Sequence, residues 1–225
     1  MSARMIIVRH AEAQGNKERT FQGHTDGAVS EKGLLQLEAL AERFRTIHID
    51  RLYASPLSRT VQTAQAVNKY HGLPLQTDPR LIEIDAGVME KMPWRDMPVL
   101  YPEQAVNWDK YPHLFAPDKG EHMTEVYARI SSAICDIAAQ NDGLTVAVAS
   151  HGCAIRNLLC WAKGWEIERL SDVQWCDNTG VSIIDIEDGV PTLVMENDCS
   201  HIPEELSTFA TQRWWREKRS MVWDD

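Results

Sequence analysis

Two histidines of this sequence each follow a short apolar run. Arg9 and His10 come directly after the apolar residues 5–8, and His151 follows the apolar run 144–149 at one residue's distance. A neutral imidazole with a free ring nitrogen is a nucleophile, and an adjacent guanidinium favours the neutral form because its charge lowers the imidazole pKa. A histidine after a strand also has an ordinary structural interpretation, in which it hydrogen-bonds a neighbouring loop.

A second arginine and a glycine would add anion-binding groups to these histidines. Arg59 lies one turn into a helix that we predict to begin at Pro56 with Ser55 as its N-cap, and helix N-termini attract anions. Gly152 lets backbone N–H groups approach a ligand closely because it has no Cβ. For Arg59 the alternative is a surface arginine paired with a nearby acid. Gathered together, the two histidines and two arginines would form a cationic pocket for a tetrahedral dianion.

The alternation of strand and helix patterns predicts how these residues are positioned. Apolar runs predict strands at 5–8, 52–54, 73–76, 144–149, 181–186 and 192–195, the last two joined by a hairpin at Asp188-Gly189. Helical spacing of Leu34, Leu37, Leu40, Ala41 and Phe44 predicts a helix with Ser30 as its N-cap. This order predicts an α/β fold, a three-layer α/β/α sandwich with a mostly parallel sheet, in which chemistry lies at the carboxyl ends of the strands.

The amino-acid composition changes between about residues 88 and 118. Five of the ten prolines lie there, together with Trp94, Tyr101, Trp108, Tyr111 and Phe115. Regular core elements tolerate proline badly, so this segment predicts an inserted cap of short helices and turns. We interpret residues 1–225 as one domain with this cap and a C-terminal segment at about 203–225. The tryptophans of that segment indicate either a helix docked on the domain or a homodimer contact.

Composition excludes several classes of protein. The 225 residues include 23 Lys and Arg against 33 Asp and Glu, a net charge of −10, which argues against a nucleic-acid-binding surface. The sequence contains no run of 18 apolar residues that would predict a membrane span. The five cysteines form no C-x-x-C pair, so neither a disulfide framework nor a zinc site is supported, and we expect a cytoplasmic protein.

Four motifs in register identify a family resemblance. They are Val8-Arg9-His10-Ala11-Glu12, Ser55-Pro56-Leu57-Ser58-Arg59-Thr60-Val61-Gln62-Thr63-Ala64, Arg80-Leu81-Ile82-Glu83 and Ser150-His151-Gly152. From residue 5 to about 186 the sequence resembles the histidine phosphatase superfamily, the phosphoglycerate-mutase-like proteins. The resemblance implies a phosphatase that acts on a small phosphorylated metabolite, with no metal and no other cofactor.

The resemblance also implies a role for each candidate residue. His10 would attack phosphorus and become a phosphohistidine, and Glu83 would protonate the leaving alkoxide and then activate water. For Glu83 the structural alternative is a loop carboxylate paired with Arg80. The remaining residues would bind the phosphoryl group or line the mouth of the pocket, namely Arg9, Arg59, His151, Asn16, Gln22, Gly23 and Gly152.

Two departures from the family pattern bear on the reaction. Ala11 replaces the glycine that commonly follows the nucleophilic histidine, which adds a methyl group but removes no donor. Residues 83–87 lack the Glu-Arg-His-Tyr-Gly stretch typical of the mutase branch, so we favour hydrolysis. Two alternatives stay open, a cofactor-dependent phosphoglycerate mutase and a catalytically silent module that binds a phosphorylated ligand.

Overall fold

A mixed six-stranded sheet forms the centre of the protein. The computed structural model describes residues 2–212. The strands are β1 (Ser2–Arg9), β2 (Arg51–Ala54), β3 (Leu75–Thr77), β4 (Thr145–Ser150), β5 (Val181–Glu187) and β6 (Val190–Asp198). Their order is β3-β2-β4-β1-β5-β6, in which β1 to β4 run parallel, β5 pairs antiparallel with β1, and β6 pairs antiparallel with β5. The predicted, mostly parallel sheet is confirmed.

Helices cover both faces of this sheet. They are α1 (Gln14–Glu18), α2 (Glu31–Phe44), α3 (Ser58–Val67), α4 (Met97–Leu100), α5 (Pro102–Lys110), α6 (Met123–Gln140), α7 (Gly152–Ala162) and α8 (Thr208–Thr211). Alternate residues of β1 point to opposite faces, so Met5 and Ile7 pack into the core with α6 and α7. Ile6 and Val8 pack into the second core with α2 and α3. The chain therefore forms the predicted three-layer α/β/α sandwich.

The hairpin that joins β5 to β6 turns where the sequence predicts it. Asp188 and Gly189 both have positive φ, at 50° and 81°. Two successive residues with positive φ give the turn a twist that matches the flanking strands, and Asp-Gly adopts this conformation readily. The hairpin prediction is confirmed.

Two local predictions about helices are wrong. Helix α2 begins at the predicted N-cap, where the Ser30 hydroxyl accepts the Gly33 N–H, but Leu34 is 51% exposed. The buried face instead includes Gln36, whose amide finds hydrogen-bond partners in the core. Helix α3 begins at Ser58 rather than at Pro56. The Asp26 carboxylate accepts both the Ser58 N–H and its hydroxyl, so Ser55 is released for another contact.

Short elements make up the segment from about residue 88 to 118. It contains α4, α5 and three 3₁₀ turns, Gly87–Met89, Trp94–Asp96 and Pro112–Leu114. Of the C-terminal segment, the 3₁₀ turn Glu204–Leu206 and α8 are described. The predicted docking or dimer contact of its tryptophans falls on residues 213–225, which lie outside the described part of the chain.

Candidate active site

The two histidines meet at the carboxyl edge of the two central strands. Strands β1 and β4 pair in parallel with Arg9 opposite Ser150, so the residue that follows each strand lies at the same edge. The ring centroids of His10 and His151 are 5.3 Å apart. Both side chains are buried, with exposed fractions of 4% and 0%. The sheet therefore brings together two residues that are separated by more than half of the sequence.

The His10 ring has a defined proton position. Its Nδ1 lies 2.7 Å from the Ala11 carbonyl oxygen, which can only accept, so Nδ1 carries the proton. Burial lowers the His10 pKa well below its ordinary value, and the charges of Arg59 and Arg9 lower it further. The ring is therefore neutral at neutral pH, with its lone pair on Nε2. A neutral imidazole with a free nitrogen has the form that a nucleophile needs.

The two arginines lie beside this ring, and each donates part of its N–H groups to backbone carbonyls. Arg59 donates from its terminal nitrogens to the carbonyls of Thr25 and Gly23, each at 2.8 Å. Arg9 donates from Nη1 to the Cys176 carbonyl. Burial lowers the Arg59 pKa to about 10, which leaves the guanidinium charged at neutral pH. These arginines therefore fix the surrounding loops and keep a positive charge next to His10.

His151 is held by a serine that we predicted to cap a helix. Its Nε2 lies 2.7 Å from the Ser55 hydroxyl, which follows β2 at the same edge of the sheet. Burial lowers the His151 pKa well below its ordinary value, and Arg59 and His10 lower it further. A hydroxyl that donates to Nε2 leaves the proton of the neutral ring on Nδ1. In that tautomer the second histidine offers a neutral N–H donor at Nδ1, which has no other partner among the described residues.

Three buried nitrogens of this cluster have no hydrogen-bond partner within residues 2–212. They are Nε of Arg9, Nε of Arg59 and Nδ1 of His151. Buried donors are rarely left unsatisfied, so unpaired donors that lie beside one another indicate a ligand-binding site. Two of them belong to guanidinium groups, whose geometry and charge suit phosphate or carboxylate oxygens. The cluster has the chemistry of an anion site.

Glu83 lies at the N-terminus of α7 and lines the same cavity as His10. Its Oε1 accepts the N–H groups of Ile84 and Ala154, and its Oε2 accepts the Cys153 N–H, all at 3.0 Å. Arg80, the alternative partner, donates instead to two aspartates. The Glu83 carboxylate is therefore oriented by the backbone and by a helix N-terminus, where negative charge is favoured.

A cavity connects most of the predicted site residues. Its lining includes Arg9, His10, Asn16, Gln22, Glu83 and Gly152. Arg59 and His151 are fully buried behind this surface, and Gly23 contributes its carbonyl to Arg59. A Cβ at position 152 would lie 3.2 Å from the Arg9 guanidinium carbon, so the glycine allows the close approach of that group to α7.

Several supporting residues were not predicted to belong to the site, although Thr63 lies within one of the four motifs. The Thr63 hydroxyl accepts the Ala11 N–H, and the Asn178 amide donates to the His10 carbonyl, so both hold the loop that follows β1. Arg129 donates to the Glu83 carbonyl and fixes the loop that carries the acid. Each of these contacts joins residues 46 or more positions apart. Only the fold brings the partners together.

A buried carboxylate ties this loop to the C-terminal segment. Glu12 accepts from the Ser30 hydroxyl at 2.7 Å and from the Thr208 hydroxyl at 3.2 Å. The Lys32 ammonium lies 2.7 Å from the same carboxylate and balances its charge. Thr208 also lines the cavity, so the segment that follows β6 forms part of the wall around the site.

The described residues, 2–212, contain neither a metal-binding group nor a membrane-spanning helix. No three histidine, cysteine, aspartate or glutamate side chains come together there in a group that would hold a metal ion. No helix in that range has the length and apolar character needed to cross a membrane.

Comparison with known proteins gives a consistent result. The model of the histidine phosphatase superfamily (branch 1) matches residues 5–199. Phosphoserine phosphatase 1 of Hydrogenobacter thermophilus is 31% identical over 201 residues, which cover 89% of this chain and 95% of that protein. A probable phosphoglycerate mutase, GpmB of an Enterobacter species, is 37% identical over 166 residues, 71% of this chain and 74% of that protein. The structure of YhfR from Bacillus stearothermophilus superposes with a TM-score of 0.85 at 29% identity, covering 89% of this chain and all of that one.

Proposed function

Because the chain belongs to the histidine phosphatase superfamily and is a phosphoric monoester hydrolase, we propose that it cleaves small phosphomonoesters through a phosphohistidine on His10, without a metal ion. The observation that carries the proposal is the state of the His10 ring. Its Nδ1 proton is held by the Ala11 carbonyl, and its neutral Nε2 lies among buried guanidinium groups. The relatives named for phosphoserine and phosphoglycerate support a small phosphorylated substrate.

In the first half of the reaction, His10 Nε2 attacks phosphorus. A P–N bond forms as the P–O bond to the alcohol breaks, and the bonding electrons leave with the alkoxide oxygen. The Glu83 carboxyl group, protonated when the substrate binds, donates its proton to that oxygen and becomes a carboxylate; positioned acids of this kind typically contribute about 10²–10⁴ in rate. Water then attacks phosphorus, Glu83 takes its proton, and the P–N electron pair returns to Nε2 as inorganic phosphate forms.

The remaining residues stabilise the transferring phosphoryl group. The unpaired Nε atoms of Arg9 and Arg59 and Nδ1 of His151 are donors suited to the charge on its oxygens. Asn16, Gln22 and Gly152 shape the pocket around them, and the Gly23 carbonyl holds Arg59. The segment at about 88–118 would act as a cap within a single domain and would set which alcohol fits.

The test is to trap the covalent intermediate. Wild-type protein quenched during turnover of ³²P-labelled substrate should carry label that acid removes and alkali leaves in place, as a phosphoramidate requires. The His10→Ala variant should neither turn over nor become labelled, whereas His48→Ala, which removes an exposed histidine, should behave as wild type. Label that survives acid and is lost in base, or full turnover by His10→Ala, would refute the proposal.

A phosphoglycerate mutase is the second candidate, favoured by the 37% identity to the Enterobacter protein. The residues after Glu83 count against it. Ile84 is an apolar residue lining the cavity, and Asp85 turns back to accept the Gly87 N–H. Neither supplies a donor for a second anionic group of the substrate. Interconversion of 2- and 3-phosphoglycerate in the presence of 2,3-bisphosphoglycerate, at a rate above hydrolysis, would favour the mutase.

A further inference from the structure

Four aromatic rings form one side of the cavity. We call them the aromatic wall, defined as Phe21, Trp94, Trp108 and Trp175, and all four line the cavity. Phe21 stacks on Trp94 with centroids 4.4 Å apart and meets Trp108 edge-on at 5.1 Å. Trp108 lies 5.6 Å from Trp175. The rings therefore contact one another; Phe21 and Trp108 are buried, and Trp94 and Trp175 are the two that remain partly exposed in the cavity lining.

The aromatic wall is held in place by the backbone and by a cation. The Phe21 N–H donates to the Met92 carbonyl, and the Trp94 N–H donates to the Arg19 carbonyl, at 2.8 and 2.9 Å. These bonds join the loop after α1 to the segment at 88–118. The Arg156 guanidinium lies 4.8 Å from the centroid of the Trp175 ring. A surface fixed in this way needs little reordering when a ligand binds, which favours affinity.

The charges around the cavity restrict what can lie against this wall. Among the described lining residues, the carboxylate is that of Glu83 alone. Three backbone N–H groups already hold that carboxylate, and the proposed mechanism uses it at the bridging oxygen. A leaving group with an ammonium would therefore meet no free carboxylate among the described lining residues to offset the desolvation of its charge, which costs free energy. An uncharged ring has no such cost and gains contact with the aromatic faces.

We propose that the aromatic wall selects phosphomonoesters whose leaving alcohol carries a flat, uncharged ring, rather than amino acid phosphates. This inference rests on the proposed function, since it assumes that the cavity binds the leaving group of a phosphomonoester. It assigns substrate selection to residues other than the catalytic ones. It also implies a substrate preference different from that in the name of the Hydrogenobacter relative, phosphoserine phosphatase 1.

The test compares benzyl phosphate with ethyl phosphate and O-phosphoserine, all of which release an alkyl alcohol rather than a phenol. We expect kcat/KM for benzyl phosphate to exceed that for each of the others by at least about tenfold, since even one methylene in a fitted pocket changes kcat/KM by about 10–200-fold. Equal values for benzyl and ethyl phosphate, or a preference for phosphoserine, would overturn the inference.

Variants assign the preference to the wall. The ratio of kcat/KM for benzyl phosphate to kcat/KM for ethyl phosphate should fall by about tenfold in Trp94→Ala, since a lost apolar contact changes kcat/KM by about 10–200-fold. Trp94→Phe keeps an aromatic ring and should retain most of the wild-type ratio. Trp165→Ala removes a tryptophan that does not line the cavity and should leave the ratio unchanged. An unchanged ratio in Trp94→Ala would assign the selection elsewhere and overturn the inference.

The two proposals fail in distinguishable ways. A wild-type protein that hydrolyses none of the three esters and forms no acid-labile phosphoenzyme would contradict the proposed function. A protein that forms the phosphoenzyme with all three esters at similar rates would leave the proposed function intact and overturn only the selection by the wall.

Discussion

The substitution Glu83→Gln separates the acid from the rest of the site. The change keeps the size of the side chain but removes the proton that the leaving oxygen needs. Ethyl phosphate has a poor leaving group, so we expect its kcat/KM to fall by about 10²–10⁴. p-Nitrophenyl phosphate releases a stable phenolate, so its kcat/KM should fall much less. The measurement is kcat/KM for wild type and variant over a series of esters of graded leaving-group pKa.

The structure also sets the cost of this change to stability. Oε1 of Glu83 accepts two backbone N–H groups and Oε2 accepts one. A glutamine whose oxygen takes the Oε1 position keeps the hydrogen bonds from the Ile84 and Ala154 N–H groups. Its NH₂ group then faces the Cys153 N–H, which is also a donor. One buried donor then lacks an acceptor, which costs about 1–3 kcal/mol of the free energy of unfolding. Urea denaturation measures this loss, and the kinetics are done at a temperature where both proteins are folded.

A matched control distinguishes chemistry from structure. Glu90 also accepts backbone N–H groups, from His24, Thr25 and Ala86, but it does not line the cavity. Glu90→Gln should lower stability and affect all esters alike. If Glu83→Gln likewise reduces kcat/KM by the same factor for every leaving group, Glu83 is not the general acid.

Three further predictions address the remaining features of the site. Because the folded-state pKa of the buried His10 lies below the value of about 6.5 in the unfolded chain, this histidine's contribution to stability is present above pH 6.5 and lost as the pH falls. Urea denaturation between pH 5 and 7.5 gives the free energy of unfolding as a function of pH. Its slope should be shallower in His10→Gln than in wild type by up to about 1.4 kcal/mol per pH unit. An equal slope in the two proteins would contradict a neutral buried ring. Gly152→Ala places a methyl 3.2 Å from the Arg9 guanidinium, and we expect kcat/KM to fall about tenfold with weaker inhibition by inorganic phosphate, since misplacement by about 1 Å can cost 10²-fold. Saturating EDTA should leave kcat/KM unchanged, and a loss restored by a divalent cation would show that the reaction needs a metal.

The arrangement of the sheet could be predicted from the sequence because its signals are local. A short apolar run followed by polar residues marks the end of each parallel strand, and Asp188-Gly189 marks the hairpin. These patterns also place His10 and His151 at one edge, since parallel strands end on the same side. The prediction needed no knowledge of which side chains touch.

Contacts between distant residues were beyond the same reasoning. The helix cap expected of Ser55 is supplied by Asp26, because that carboxylate reaches the N-terminus of α3 from a loop. Ser55 then turns to His151. The amphipathic pattern misplaced Leu34, because burial of Gln36 depends on partners more than 20 residues away. Such bonds are specified by tertiary packing, which spacing along the chain does not record.

The two histidines extend from β1 and β4, the central pair of a six-stranded sheet. Strands in this position open to solvent least often, and in small domains their amides exchange mainly when the whole molecule unfolds. His10 and His151 are therefore attached to the strands that we expect to unfold last. The aromatic wall instead belongs to shorter elements at the periphery of the fold. As the temperature rises, we expect catalytic turnover to persist until the protein unfolds. The selectivity among leaving groups should fall at a lower temperature, because the peripheral elements open first.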